Sequence, residues 1–383
     1  MKKTCRMMTV LLALALLTAV VLPGAAMAGN SYTPVQGGTT KFTKYLVMET
    51  DAHVPNATFK FTVAPGTAIP AETGKMEVLA GIGTPTIADV SFAEGNDTTA
   101  GTPTDTADTT HKYAQQTATI TFGTDCMFPE PGIYRYTVTE TATTNLGITN
   151  DETATRTLDV YVTNKADGTL QVESYVLHTG TAAPAAGTSN GSADVGTAGA
   201  ALEDKSAGYT NTYDTSNLTF KKQVSGNQAS YDKYFKFTVT ISGAVAGTKY
   251  TVDLSNADES ISANPNAATK GITEAVRQPA ELTVGTDGTV EQVYYLQHDQ
   301  YITIKGLAKG TDYKVEEDPE DYKSDKTGNK VEGAIASADV TETFTNTRDG
   351  VVPTGVALSL LPGMGLLITA AAGAALLRKK SRD

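Results

Sequence analysis

The chain has 383 residues, a formal net charge of −12, two cysteines and no tryptophan. This acidic balance argues against nucleic acid and against anionic membrane surfaces as partners. Cys5 falls in an N-terminal leader, so only Cys126 remains and an internal disulfide is excluded.

In chain order, Lys2, Lys3 and Arg6 precede an apolar core over 10–22 and then Ala26-Met27-Ala28, a small-residue site that predicts export and cleavage after Ala28. Residues 1–28 and 355–383 each carry a net charge of +3, so the 326 residues between them carry −18. That length suffices for two domains with cores of their own. Apolar side chains recur with period two at Phe59, Phe61 and Val63, at Ile120 and Phe122, at Tyr134, Tyr136 and Val138, at Leu158, Val160 and Val162, and at Phe235, Phe237, Val239 and Ile241. These predict half-buried strands and an all-β chain. Ala166-Asp167-Gly168 and Thr286-Asp287-Gly288 read as tight hairpin connections. Residues 94–110 and 179–201 lack periodicity and read as long exposed loops. A short strand around Tyr209 to Tyr213 follows the second, and Asp214-Thr215-Ser216 marks a junction. The predicted organisation is a leader over 1–28, β-sandwich domains over 29–214 and 215–350, and a C-terminal signal over 351–383, with Greek-key wiring expected for so many short antiparallel strands.

Each half carries the same ordered set of polar residues on apolar strand faces. Lys44 shares parity with Phe42, Leu46 and Met48, and Lys222 with Leu218, Phe220 and Val224. Glu140 closes a strand with Tyr136 and Val138, and Glu317 one with Tyr313 and Val315. Asn211 lies between Tyr209 and Tyr213, and Asn346 follows Phe344 by two. Lysine and glutamate are 96 residues apart in the first half and 95 in the second, while lysine and asparagine are 167 and 124 apart, a difference the 179–201 insertion absorbs. A single inward lysine often snorkels at a sheet rim, but six inward positions repeated in one order point to reaction. Burial lowers a lysine pKa and raises that of a glutamate, so a neutral amine can attack the asparagine side chain while the carboxyl shuttles protons and ammonia leaves. The product is an isopeptide bond formed once, without a cofactor.

The chain closes with Val351, Val352, Pro353, Thr354 and Gly355, an apolar run over 356–377 and a basic tail from Arg378 to Arg382. The 22 apolar residues would span about 33 Å as a helix, enough to cross a bilayer, with the basic tail inside the cell. A Pro-Thr-Gly directly before such a span is what a sortase substrate needs, with cleavage between Thr354 and Gly355; a simple membrane anchor is the other reading. His53, His111, His178 and His298 lack metal-ligand spacing and read as surface residues. Gly81-Ile82-Gly83 reads as a loop, and the acidic run of Glu316, Glu317, Asp318, Glu320 and Asp321 as a solvated edge except for inward Glu317. No metal is assigned.

The segments Leu218-Thr-Phe-Lys-Lys-Gln-Val-Ser-Gly226, Tyr134-Arg-Tyr-Thr-Val-Thr-Glu140, Phe344-Thr-Asn-Thr-Arg-Asp349 and Val352-Pro-Thr-Gly-Val-Ala357 resemble those of streptococcal-type major pilins, the backbone subunits of pili. The resemblance covers the whole mature chain. It implies two immunoglobulin-like domains, with Lys44 linked to Asn211 beside Glu140 and Lys222 linked to Asn346 beside Glu317. It also implies an acceptor lysine for the threonyl carbonyl of the next subunit. Lys205, six residues before Asn211, matches that position with one residue less spacing than the family pattern, and Lys165 is the lesser candidate. Val351 stands where an acidic residue is typical, which bears on which sortase acts. The implied partners are identical pilin subunits, a sortase, peptidoglycan, and minor pilins or a tip adhesin, with the membrane involved only for the precursor and no nucleic acid. The implied location is a pilus anchored in the cell wall. A monomeric wall-anchored adhesin that displays the same domains is the alternative, and a secreted enzyme has no supporting constellation beyond the self-directed chemistry.

Overall fold

The computed structural model describes residues 32–184, 205–263, 272 and 274–351. The segment read as a leader, and the residues from Val352 onward read as a sorting signal, lie outside the described residues. Alternating side chains produce strands throughout: in Ala57–Pro65 the apolar residues Phe59, Phe61 and Val63 are buried and those between them exposed, and in Thr215–Ser225 burial switches at every residue. The chain is all-β and forms two tandem immunoglobulin-like sandwiches.

In the first unit, one sheet runs in the order Leu170–His178, Thr155–Asn164, Gly132–Thr141, Ala57–Pro65 and Val90–Phe92. Its partner sheet runs Ile148–Thr149, Gly208–Tyr213, Thr39–Glu49, His111–Thr121 and Thr86–Ile87. Between them lies an aromatic core in which Phe42 meets Phe61 edge-on at 5.2 Å and Tyr209 packs on both. The second unit sets the sheet Glu281–Thr283, Lys249–Asp253, Tyr301–Ala308, Thr215–Ser225, Val340–Thr347 and Lys323–Ser324 against the sheet Thr289–Leu296, Phe235–Ser242, Asp312–Asp318 and Lys330–Ala334. Phe237 and Phe344 meet edge-on at 5.2 Å in its core.

One topological feature recurs. Thr39–Glu49 and Gly208–Tyr213, the long strand that opens the first unit and the strand that leaves it, lie side by side and parallel. Thr215–Ser225 and Val340–Thr347 do the same in the second unit. A pull along the chain therefore shears two adjacent parallel strands in each unit. Gly208 makes the first pairing tight: a Cβ there would lie 1.7 Å from the carbonyl oxygen of Thr43. The units touch where Asn56 Nδ2 donates to the carbonyl of Ala246, His53 Nε2 lies 2.8 Å from Thr251 Oγ1, and Lys309 N–H donates to the carbonyl of Asp214.

Two local expectations are corrected. Within the region read as a loop over 94–110, Thr98–Ala100 is a strand that pairs with His111–Thr121. Its small polar residues are all exposed, so it carries no alternation for a sequence to display. The turn at Thr286-Asp287-Gly288 closes with Gly285 N–H donating to the carbonyl of Thr289, yet its flanking strands pair in different sheets. Turn chemistry identifies a reversal of direction but not the strands that will pair across it.

Candidate functional site

The parallel register decides which side chains meet. Lys44 stands opposite Tyr209 and Leu46 opposite Asn211, so lysine and asparagine are one diagonal step apart on the inward face. Glu140 reaches the same spot from the facing sheet, at the register position opposite Phe61. Lys44 and Asn211 are wholly buried and Glu140 nearly so. Lys44 Nζ lies 2.9 and 3.1 Å from the two oxygens of Glu140 and donates to Asn211 Oδ1 at 2.6 Å; Asn211 Nδ2 donates to Glu140 Oε1 at 3.0 Å. The ammonium sits 4.6 Å from the centre of the Phe59 ring.

The second unit repeats the construction position for position. Lys222 stands opposite Phe344, Val224 opposite Asn346 and Glu317 opposite Phe237. Lys222 Nζ is 2.7 Å from Glu317 Oε1, 3.4 Å from the carbonyl oxygen of Phe344 and 4.4 Å from the centre of the Phe235 ring. Asn346 Nδ2 donates to Glu317 Oε1 at 2.9 Å, but Asn346 Oδ1 and Glu317 Oε2 are buried without a hydrogen-bond partner among the described residues.

Burial drives the electrostatics. It pushes both lysines down to about 8, against the opposing pull of Glu140 on Lys44 and of Glu317 on Lys222. Burial also raises Glu317. At pH 7 an amine with a pKa near 8 is neutral in about one molecule in ten, against less than about one in a thousand for an ordinary lysine. An amine with a depressed pKa, a carboxamide and a carboxyl group thus share each core, and in the second the carboxyl is shifted toward its protonated form.

An aspartate and a cation lie beside each triad and carried no signal in the sequence. Asp151 donates its backbone N–H to Asn211 Oδ1 at 2.9 Å and accepts the N–H of Thr210 at 2.7 Å on its carboxylate. Asp325 accepts the N–H of Thr345 at 2.8 Å, the residue just before Asn346. Arg156 pairs with Asp151 and stacks 3.8 Å from the ring of Tyr209; Lys326 lies 5.7 Å from the ring of Phe344. In both units an aspartate grips the amide before the asparagine, and a cation covers the aromatic ring two residues before it.

Away from the triads, Lys205 is half-buried and bridges His178 at the edge of Leu170–His178, where Ser206 N–H donates to the carbonyl of Leu177. His178 is not a surface residue: it is 3% exposed, with Nε2 3.0 Å from Asp159 Oδ2. Asp159 is held by Arg135 through two hydrogen bonds of 2.7 Å, and Arg135 also donates to the carbonyls of Thr181 and Ala182. A histidine at a strand end looks the same in sequence whether it faces water or a buried carboxylate. Lys165 is exposed in the turn closed by Gly168. Val351 is exposed, and Val352, Pro353, Thr354 and Gly355 lie outside the described residues.

Each of the two tandem sandwiches thus holds a buried Lys, Glu and Asn beside its paired first and last strands. Residues 40–214 match the family model described as the Spy0128-like isopeptide containing domain, and residues 216–348 match a domain of unknown function (DUF7601). The first unit is accordingly similar to that isopeptide containing domain, and the chain as a whole is similar to the streptococcal major pilins. It is 27% identical to a curated protein named pilin from Streptococcus pyogenes serotype M1, over 94% of this chain and 97% of that protein. A crystal structure of the major pilin from S. pyogenes shares its fold, with a TM-score of 0.51 and 22% identity over 82% of this chain and all of the other. The T3.2 major pilin of S. pyogenes superimposes with a TM-score of 0.50 and 21% identity over 82% of this chain and 99% of the other.

Proposed function

We propose that this protein is the backbone subunit of a cell-surface pilus and that each unit closes itself with a lysine-to-asparagine isopeptide bond. In this reading Glu140 takes a proton from the Lys44 ammonium and frees the amine. Lys44 Nζ attacks Asn211 Cγ, and the electron pair of the carbonyl moves onto Oδ1. Glu140 passes its proton to Nδ2 and takes one from the positively charged Nζ, the pair returns from Oδ1, the Cγ–Nδ2 bond breaks and ammonia leaves, with Glu140 left protonated. The net change converts an amine and a primary amide into a secondary amide and ammonia, with no oxidant and no cofactor. Lys222, Glu317 and Asn346 follow the same steps in the second unit.

The observation that carries the proposal is the duplication in space. Two buried Lys, Glu and Asn sets occupy matching register positions between adjacent parallel terminal strands. A bond there spans the interface that a pull along the fibre would shear. It closes loops of 167 and 124 residues, worth about 5 kcal/mol each if cross-link entropy behaves as it does for disulfides.

In the same reading, residues 1–28 are removed on export, and 29–214 and 215–350 are the two domains. Sortase cleaves after Thr354 and joins its carbonyl to Lys205 of the next subunit, and the last subunit is passed to peptidoglycan. Intact mass of the recombinant mature chain tests the internal bonds: it should fall short of the sequence mass by two ammonia, and a full sequence mass would sink this part. Lys205→Ala should abolish the high-molecular-weight ladder in a host with sortase. A persistent ladder moves the acceptor to Lys165 or another amine, and no ladder from the wild type returns the chain to the wall-anchored adhesin reading.

A further inference from the structure

We propose that the backbone amide of Asp151 is the oxyanion donor for bond formation at Asn211, and that Arg156 is the positioning residue that holds it in place. The inference rests on the isopeptide reading above and assigns to it a catalytic group outside the Lys, Glu and Asn set. Asn211 Oδ1 accepts two hydrogen bonds, from Lys44 Nζ at 2.6 Å and from Asp151 N–H at 2.9 Å. The first is lost by the reaction itself, because Lys44 Nζ becomes bonded to Cγ. As negative charge develops on Oδ1, Asp151 N–H is the donor that stays in place, within the distance an oxyanion donor requires.

The loop that carries this amide is fixed on several sides. The Asp151 carboxylate accepts from Arg156 Nη2 at 2.9 and 3.2 Å, from Thr153 N–H at 2.8 Å and from Thr210 N–H at 2.7 Å. Thr210 is the neighbour of Asn211, so the clamp ties the donor to the reacting residue's own strand. The Asp151 and Arg156 side chains are each 8% exposed, and Arg156 Nε and Nη1 are buried without a hydrogen-bond partner. A guanidinium left half-satisfied in this way is a poor device for stability. It is well placed as a support: it stacks on Tyr209, whose hydroxyl donates to the carbonyl of Val138 on the Glu140 strand. In the second unit Asp325 keeps the clamp on Thr345, but its own N–H donates to the carbonyl of Thr345, and Asn346 Oδ1 has no partner. Among the described residues the donor belongs to the first unit alone.

The test follows both cross-links over time in the full mature chain made by cell-free synthesis, by peptide mapping, with the Lys222 to Asn346 bond as the internal clock of each molecule. Asp151→Pro deletes the N–H and should slow the Lys44 to Asn211 bond on the order of 100-fold while the clock is unchanged. Asp151→Ala and Arg156→Gln loosen the support and should slow it by about 10-fold, with Arg156→Lys restoring most of the rate. Circular dichroism separates a folded slow variant from an unfolded one. If Asp151→Pro does not fold, the other two variants decide. Wild-type rates in folded Asp151→Ala and Arg156→Gln would overturn the inference. A wild-type protein in which the Lys44 to Asn211 bond never forms would instead sink the reading beneath it.

Discussion

The two units solve one geometric problem with the same register and different loops. In both, the lysine stands opposite an aromatic residue, the asparagine follows that residue by two, and the glutamate enters opposite a phenylalanine of the facing sheet. The units part at the asparagine carbonyl. Asn211 Oδ1 is held by two donors, whereas Asn346 Oδ1 has none among the described residues. Strand pairing therefore determines which side chains meet, and the loop that follows the glutamate strand determines which backbone donor reaches the asparagine carbonyl.

The comparison can be broken most severely through the glutamates. Glu140→Ala should block the first bond, restore the mass of one ammonia and lower the melting temperature of that unit by roughly 10–20 °C, with the second unit's bond intact; Glu317→Ala should do the reverse. Mass spectrometry with differential scanning calorimetry checks both, and loss of both bonds in either variant would mean that the units do not act separately.

The order of bond formation sharpens it next. In newly made protein the Lys44 to Asn211 bond should complete several-fold sooner than the Lys222 to Asn346 bond, because only the first carbonyl has a donor that survives attack. Equal rates or the reverse order, read by peptide mapping, would remove the kinetic difference between the units.

A smaller effect concerns pH. In Asn346→Ala the amine of Lys222 stays free, and its folded pKa of about 8 lies below its unfolded value. The folded state then binds fewer protons than the unfolded state from about pH 8 to 10.5, so the variant should gain stability relative to wild type as pH rises through that window, by about 3 kcal/mol. Below pH 8 the gap should be flat. Urea unfolding at a series of pH values measures it, and a gap that widens with rising pH would contradict a depressed lysine.

The smallest change expected is in Asp325→Ala. It removes the acceptor of the Thr345 N–H, an exposed hydrogen bond, and should cost the second unit about 0.5–1.5 kcal/mol while the bond still forms. If the bond fails instead, Asp325 does more than brace the strand.

Much of the site was legible because a strand displays its inward face at every second residue. Lys44, Glu140, Lys222 and Glu317 each continue an apolar parity, and all four are buried. Asp151, Arg156 and Asp325 were not legible. They sit at loops and strand ends where no period applies, and their partners lie 59 residues away for Asp151 and Thr210 and 20 for Asp325 and Thr345. His178 misled for a related reason, since its buried partner Asp159 lies on the neighbouring strand.

Period-two patterning by itself determined that this chain is all-β, that its polar triads face inward and that the set occurs twice, since alternation is a property of one strand and needs no partner. Only the tertiary structure decided that the terminal strands of each unit run parallel with lysine and asparagine one diagonal step apart, and that a backbone amide meets one asparagine carbonyl and not the other. Those facts depend on pairing between distant segments and on loop conformation, which the hydrophobic pattern of a single segment does not encode.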